Sequence, residues 1–300
     1  MTTTEARPTG ARATPARVHP ALLAALGSVC IALSSVFIKV SGTTGSTSAF
    51  WRCLISLPVL VALVWFERRR GTARRRIVLP LLAGVGLGVD FVLWGDAIAL
   101  VGAGVATVIL SVQVVIVPAV AFLAYGERPS GRFLVAVPVL LGGIVLAGGL
   151  AGTPAFGPDP VLGAVLALGA GVGYAAYLVL IRHSTGPGAR EHTLLLATVS
   201  AGVVAAGMGL PTGRLDLTPG WPALGWLVAL AVVGQVVGWM LISTALPRMS
   251  SSKGATLMLV QPVAAILLGV VLLSERPGAL QLVGCAVVLG SVAFVGGARR

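Results

Sequence analysis

Charge is what this sequence has least of. Only 10% of its 300 residues are Asp, Glu, Lys or Arg, against roughly 25% in a soluble domain. So few charges cannot cover a globule in water, which excludes an ordinary soluble fold. Acids are scarcer than bases, nine against 21. Cys30, Cys53 and Cys285 stand singly in apolar stretches, which excludes a disulfide framework or a thiolate metal site and leaves them as small buried residues. The three histidines never fall in the middle of an apolar run. An enzyme working inside the membrane would need His, Asp or Ser clustered at depth, and one deep acid does not meet that requirement. There is no Gly-rich loop ending in Lys-Ser or Lys-Thr to hold a nucleotide, so ATP is not expected as the direct energy source, and no motif asks for a cofactor.

What is abundant is apolar sequence. The hydrophobic share is 57% and the mean hydropathy +1.00, values that place the chain in lipid. The formal charge of +12 would suggest nucleic acid if the Arg residues alternated with aromatic and polar ones on a soluble face. Instead they cluster between apolar runs, most densely in "ERRRGTARRR", which argues for membrane orientation and against a nucleic-acid partner.

Ten runs of about 20 apolar residues are each long enough to cross a bilayer at 1.5 Å per residue. The spans expected are 21–40, 46–66, 77–98, 103–125, 131–149, 160–182, 191–210, 222–244, 254–273 and 279–297, so the fold class is an all-α membrane protein. Residues 1–19, rich in Thr, Ala, Pro and Arg, read as a disordered tail. The run after it lacks a small-residue cleavage site and reads as a retained helix. With a cytoplasmic N-terminus, 17 of the 21 basic residues fall on the cytoplasmic side, leaving Lys39, Arg52, Arg214 and Arg276. Both termini are then cytoplasmic, in a multi-pass protein of the cytoplasmic membrane.

The chain also repeats itself. "YGERPSG" and "LSERPGA" place Glu127 and Glu275 148 residues apart, and in the same register Gln113 falls on Gln261 and Gly142 on Gly290. Half the chain is too long a period for a solenoid and indicates a duplicated five-helix unit, 20–150 and 151–300. Five is odd, so the second copy runs through the membrane upside down, as in carriers built from inverted repeats. Each Glu sits where one helix ends and a proline opens the next, and a solvated turn accounts for it.

Beyond this, the sequence resembles the drug/metabolite transporter superfamily, in particular its EamA-type permeases. The residues carrying the resemblance are "FIKV" closing the first span, "AFWRCL" in the second and the Glu-Arg-Pro turns after the fourth and ninth. It implies a secondary active transporter of a small organic metabolite, an amino acid or similar, exporting by alternating access with protons or exchange as the driving force. A membrane receptor or scaffold with the same fold is the alternative, because fold does not fix function. The family's Leu-x-Pro pattern is approximated by Val260, Gln261 and Pro262. In the fourth span Val114 stands where the proline would, and Pro118 follows, so the kink there is expected about one turn deeper.

Ionisable and amide groups at depth are costly and mark a pathway. Asp90, 13 residues into the third span with Gly84 and Gly88 on the turns before it, is the leading candidate for carrying a proton or meeting a cationic group, packing being the alternative. Asp96 reads as an interfacial, solvated acid. Lys39 and Arg52 flank the first outer loop and can snorkel to water; the resemblance implies that they shape the outer mouth, pairing with Asp96 or a substrate carboxylate. Gln113, Gln235 and Gln261 either line a cavity or bond between helices. Trp94 and Trp239, with Tyr174 and Tyr177, are candidates for an aromatic wall or for packing. Gly- and Ala-rich faces suit contacts between the two halves of a monomer or between the protomers of a homodimer, and lipid is the remaining partner.

Overall fold

The computed structural model describes residues 19–69, 76–125, 131–148, 157–184, 190–245, 248–249, 257 and 259–296. The N-terminal tail and the first Glu-Arg-Pro turn lie outside the described residues. In order the helices are α1 (Pro20–Ser41), α2 (Gly45–Arg69), α3 (Val78–Val101), α4 (Ala103–Leu110), α5 (Gln113–Tyr125), α6 (Gly131–Ala147), α7 (Pro160–Ser184), α8 (Arg190–Gly209) and α9 (Ala223–Ala229). A π-helical stretch (Leu230–Gly238) continues α9 into α10 (Trp239–Ala245), followed by α11 (Val260–Leu273) and α12 (Ala279–Gly296). The described residues thus make an all-helical protein.

Among them, seven helical stretches are long and apolar enough to cross a membrane. The spans expected at 131–149, 254–273 and 279–297 appear as shorter apolar helices, Gly131–Ala147, Val260–Leu273 and Ala279–Phe294. Large apolar side chains such as Leu123, Val271, Val203 and Val135 are exposed on the outside, a surface only lipid satisfies. The chain is a multi-pass membrane protein.

Small residues set the packing. In lipid, apolar helices gain little from burying one another, so close contact between backbones decides which pairs form. α3 lies at the centre, against α7 on one side and α8 and α2 on the other. Gly84 and Gly88 face the backbones of Ala197 and Ala201 on α8, and Gly173 of α7 lies against the backbone of Asp90. The α9–π–α10 segment packs on α1 much as α3 packs on α7, and α6 lies along α12. Two buried clusters result, one around α3, α4 and α7 and the other joining α2, α3, α7 and α8.

Two helices break. α3 ends at Gly102, whose φ of 89° is open to glycine and strained for other residues, and α4 begins at once. The α4–α5 break corrects the expected kink at Pro118. It lies at Ser111–Val112, about two turns before that proline. The N–H groups of Ser111, Val112, Val114 and Val115 each donate to the carbonyl three residues back, tightening the turn. Pro118 sits inside α5 without interrupting it.

Candidate functional site

The N-terminus of α2 meets α3 side by side. The Gly45 N–H donates to Asp96 Oδ1 at 2.8 Å, and a Cβ on Gly45 would collide with the Val92 carbonyl oxygen. From this contact both helices run inward. At 1.5 Å per residue, Arg52 is about 10 Å in from Gly45 and Asp90 about 9 Å in from Asp96. The two opposite charges therefore reach the same depth on neighbouring helices.

Both are buried, Arg52 at 2% and Asp90 at 4% exposure. The guanidinium of Arg52 lies 3.8 Å from the centre of the Phe91 ring, a cation–π contact strengthened by the absence of water. Arg52 Nε donates to Gln235 Oε1 at 3.0 Å, and Gln235 Nε2 donates to Thr198 Oγ1 at 3.4 Å. Asp90 and the Tyr174 hydroxyl lie close enough to act on the charge of Arg52. Yet Arg52 Nη1 and Asp90 Oδ1 have no hydrogen-bond partner among the described residues. An unmade bond at a buried polar atom costs about 1–3 kcal/mol, more for a charge, and such groups persist where they meet something that comes and goes.

Of the candidate residues, Arg52, Asp90 and Gln235 come together here. Trp239 is next to them through Tyr177 (ring centres 6.3 Å apart), which stacks on Tyr174 at 5.8 Å. Thr198 was not expected, since a threonine in an apolar run gives no signal of its own. Gln235 lies in the π-helical stretch; such stretches frequently occur at functional sites.

The remaining candidates lie elsewhere. Trp94 Nε1 donates to Thr107 Oγ1 on α4 at 3.3 Å, within the other buried cluster. Gln113 opens α5 with its Oε1 buried and unpartnered among the described residues, and Gln261 is the second residue of α11. Three expectations are corrected. Arg52 does not snorkel outward: Gln235 and the Phe91 face replace water for it inside. Lys39 does not pair with Asp96: its Nζ donates to the carbonyls of Ile98 (3.2 Å) and Ala99 (3.1 Å), satisfying the C-terminal end of α3. Asp96 is buried, at 7% exposure, and takes its salt bridge from Arg214 Nη2 at 2.8 Å.

Glu275 is likewise no solvated turn. It is 5% exposed and its Oε1 accepts from the Ala103 N–H at 2.8 Å, capping α4. The other described acids are likewise held by backbone amides or stand at a helix start. Glu67 accepts from the amides of Glu191 (3.1 Å) and His192 (3.2 Å), where α8 begins. Asp159 caps α7 through the Leu162 N–H at 3.0 Å, and Asp216 accepts from the Thr218 N–H at 2.8 Å. Glu191 stands in the first turn of α8. Asp90 is the exception, an acid in mid-helix with no helix end to serve.

At the α2 N-terminus the segment 210–221 is tied down. Thr44 and Thr47 hydroxyls donate to the Arg214 carbonyl, the Asp216 N–H donates to Thr47 Oγ1 at 2.9 Å, and Trp51 Nε1 donates to the Asp216 carbonyl at 3.0 Å. Beside this strap is a cavity of about 700 Å³ whose lining includes Asp96, Arg214, Leu93, Leu100, Leu162 and Leu166.

Comparison with known proteins agrees with this architecture. The model of the EamA-like transporter family matches twice, over residues 19–149 and 161–297. An uncharacterized transporter of Bacillus subtilis (strain 168), YcbK, is 26% identical over 288 residues, covering 90% of this chain and 89% of its own length. A probable amino-acid metabolite efflux pump of Escherichia coli (strain K12) is 25% identical over 233 residues, 72% of this chain and 76% of that protein. A solved crystal structure shares the fold with a TM-score of 0.62 at 19% identity, covering 92% of this chain and 97% of that one.

Proposed function

Since the chain belongs to the EamA-like transporter family, we propose that it is a secondary active transporter that exports a small organic metabolite by alternating access. In this reading ten membrane segments form two inverted halves in the cytoplasmic membrane, with both termini in the cytoplasm. Support for two halves comes from the double family match and from the reciprocal packing, α3 on α7 and α9–π–α10 on α1. The relative described as an amino-acid metabolite efflux pump supports a zwitterionic metabolite of that size.

The observation that carries the proposal is the pair of unsatisfied charges, Arg52 and Asp90, buried at one depth between helices of both halves. Arg52, steadied by Gln235 and Phe91, presents free guanidinium donors to a substrate carboxylate. Asp90 accepts the substrate ammonium or a proton. When the site is empty, the Asp90 carboxylate balances the charge of Arg52; when Asp90 takes a proton or the substrate ammonium, the substrate carboxylate balances Arg52 instead, so in either state the carrier can reorient without moving an unpaired charge through lipid. Rearrangement of the halves about this fixed site exposes it to each side in turn.

The test is mass spectrometry of a metabolite mixture loaded into proteoliposomes, with and without an imposed pH gradient, comparing the wild type with Asp90→Asn. Selective, gradient-dependent efflux that disappears in the variant is the expected result. Equal pH-dependent efflux by both proteins rejects Asp90 as the coupling group, and no movement of any compound by folded protein rejects transport in favour of a receptor or scaffold.

A further inference from the structure

The cavity beside the strap reaches along α3 from Asp96 to Val92, but neither Arg52 nor Asp90 is among the residues that line it. Its lining divides by chemistry. Val92, Leu93, Leu100, Leu162, Leu166 and Met208 form an apolar wall from α3, α7 and α8, and the rim carries Thr and Ser hydroxyls with Asp96 and Arg214. The two charges are not equally available. Asp96 Oδ1 already accepts from both the Gly45 N–H and Arg214 Nη2, and the side chain is buried. Arg214 has spent one of its donors, and half of its side chain (52%) remains accessible. The Asp96 charge is thus already balanced by Arg214, whereas the half-exposed guanidinium keeps donors to spare, which an anion can take.

We propose that this cavity is a second binding site, for an amphipathic organic carboxylate whose anionic group is held by Arg214 and whose apolar body lies along Leu93, Leu100, Leu162 and Leu166. A volume of about 700 Å³ falls within the range of pockets that enclose a drug-sized ligand, about 300–1,000 Å³. The site asks for no ammonium group, which separates it chemically from the central pair.

The experiment is calorimetric titration of the full chain, in nanodiscs of zwitterionic lipid, with N-acetylglycine, N-acetylvaline, N-acetylleucine and the uncharged N-acetylleucine amide. These compounds lack the ammonium of an amino acid, and binding is read without any transport, so the outcome is independent of whether the protein carries a substrate. Affinity is expected to rise with the apolar side chain and to fall by about tenfold or more, the scale of a charge-assisted contact, for the amide and in Arg214→Gln. Because Arg214→Gln also breaks the bridge to Asp96, Leu166→Trp provides a second variant that fills the cavity and leaves the strap intact. It is expected to weaken binding equally. The proposal is overturned if no N-acetyl amino acid binds, if the amide binds as tightly as the acid, or if both cavity variants bind like the wild type. Abolition of binding by anionic lipid in the nanodisc, with Arg214 protected by that lipid alone, would assign the cavity to a headgroup and also overturn it.

Discussion

At the residue scale the distinction is between charges held by backbone and the one pair that is not. Glu67, Asp96, Asp159 and Glu275 each accept from the first amides of a helix, where the partial positive charge of unsatisfied N–H groups gathers. Asp90 has no such duty, and that contrast gives it more weight than depth alone. Its depth was legible in the sequence because an acid 13 residues into an apolar run has few bland explanations. The inward turn of Arg52 was not legible: eight residues into its helix, a long cationic side chain can reach water or the interior. The choice depends on Gln235 and Phe91, and Gln235 is 183 residues away. Gln235→Leu removes the acceptor of a buried guanidinium N–H. Thermal unfolding in detergent is expected to show a loss of about 1–3 kcal/mol, with part of it recovered when Arg52→Leu is added to the same chain. A pair that couples shows 0.5–3 kcal/mol of non-additivity by typical magnitudes; strictly additive variants would mean that Arg52 is held by something other than this amide.

At the element scale, helix ends account for most of what the sequence did not reveal. Seven of the expected spans were readable from hydropathy, because lipid demands a run of fixed length. Where a run breaks was not. The α4–α5 break lies at Ser111–Val112 and not at Pro118, and no composition signal marks it. The π-helical stretch that carries Gln235 is equally silent. Glu275 shows why: from the sequence its turn looked solvated, but the chain folds it onto the N-terminus of α4, 172 residues earlier, beside the open conformation of Gly102. Burial pushes the Glu275 carboxyl above its ordinary value of 4.5, while the bonds from Ala103 and Gly104 and the nearby Lys39 charge pull it back less strongly. With the folded value raised, the native state holds more protons than the unfolded chain between 4.5 and that value. The stabilising effect of this linkage is therefore fully present below 4.5 and is lost as the pH rises through the folded value. Glu275→Gln keeps a side-chain acceptor for Ala103 but cannot titrate. Melting curves across that window are expected to be flatter for the variant. At neutral pH the loss of carboxylate capping costs it about 1 kcal/mol or less, and relief of the buried charge, the stronger of the two effects, offsets that cost. Parallel pH profiles for the two proteins would show that the Glu275 carboxyl titrates as it does in the unfolded chain.

At the scale of the whole molecule, the duplication and the charge asymmetry together make a claim about orientation that neither makes alone. In the proposed arrangement a five-helix unit repeated once inverts, and the basic residues decide which way the pair sits. Repetition was legible because Gln113 and Gln261, and the two Glu-Arg-Pro triplets, keep one register over 148 residues. How the two family-matched segments pack on each other was not, since packing depends on small residues such as Gly84, Gly173 and Ala197 meeting across the chain. The proposed arrangement puts the strap at 210–221, with the Arg214–Asp96 bridge, on the outer side, and the segment before α3 on the cytoplasmic side. Thr218 and Arg76 are exposed, whereas Cys53 and Cys285 are buried. Single cysteines at these two positions therefore report orientation against a small background, read against the wild type to account for the partly buried Cys30. A membrane-impermeant maleimide added to intact cells is expected to label Thr218→Cys at once and Arg76→Cys only after the membrane is opened. Labelling of Arg76→Cys in intact cells with Thr218→Cys protected would turn the molecule over, and would place the strap and the cavity beside it on the cytoplasmic side. Labelling of both from outside would break the link between strap and orientation, because the two positions would then share one face and an odd number of crossings could not separate them.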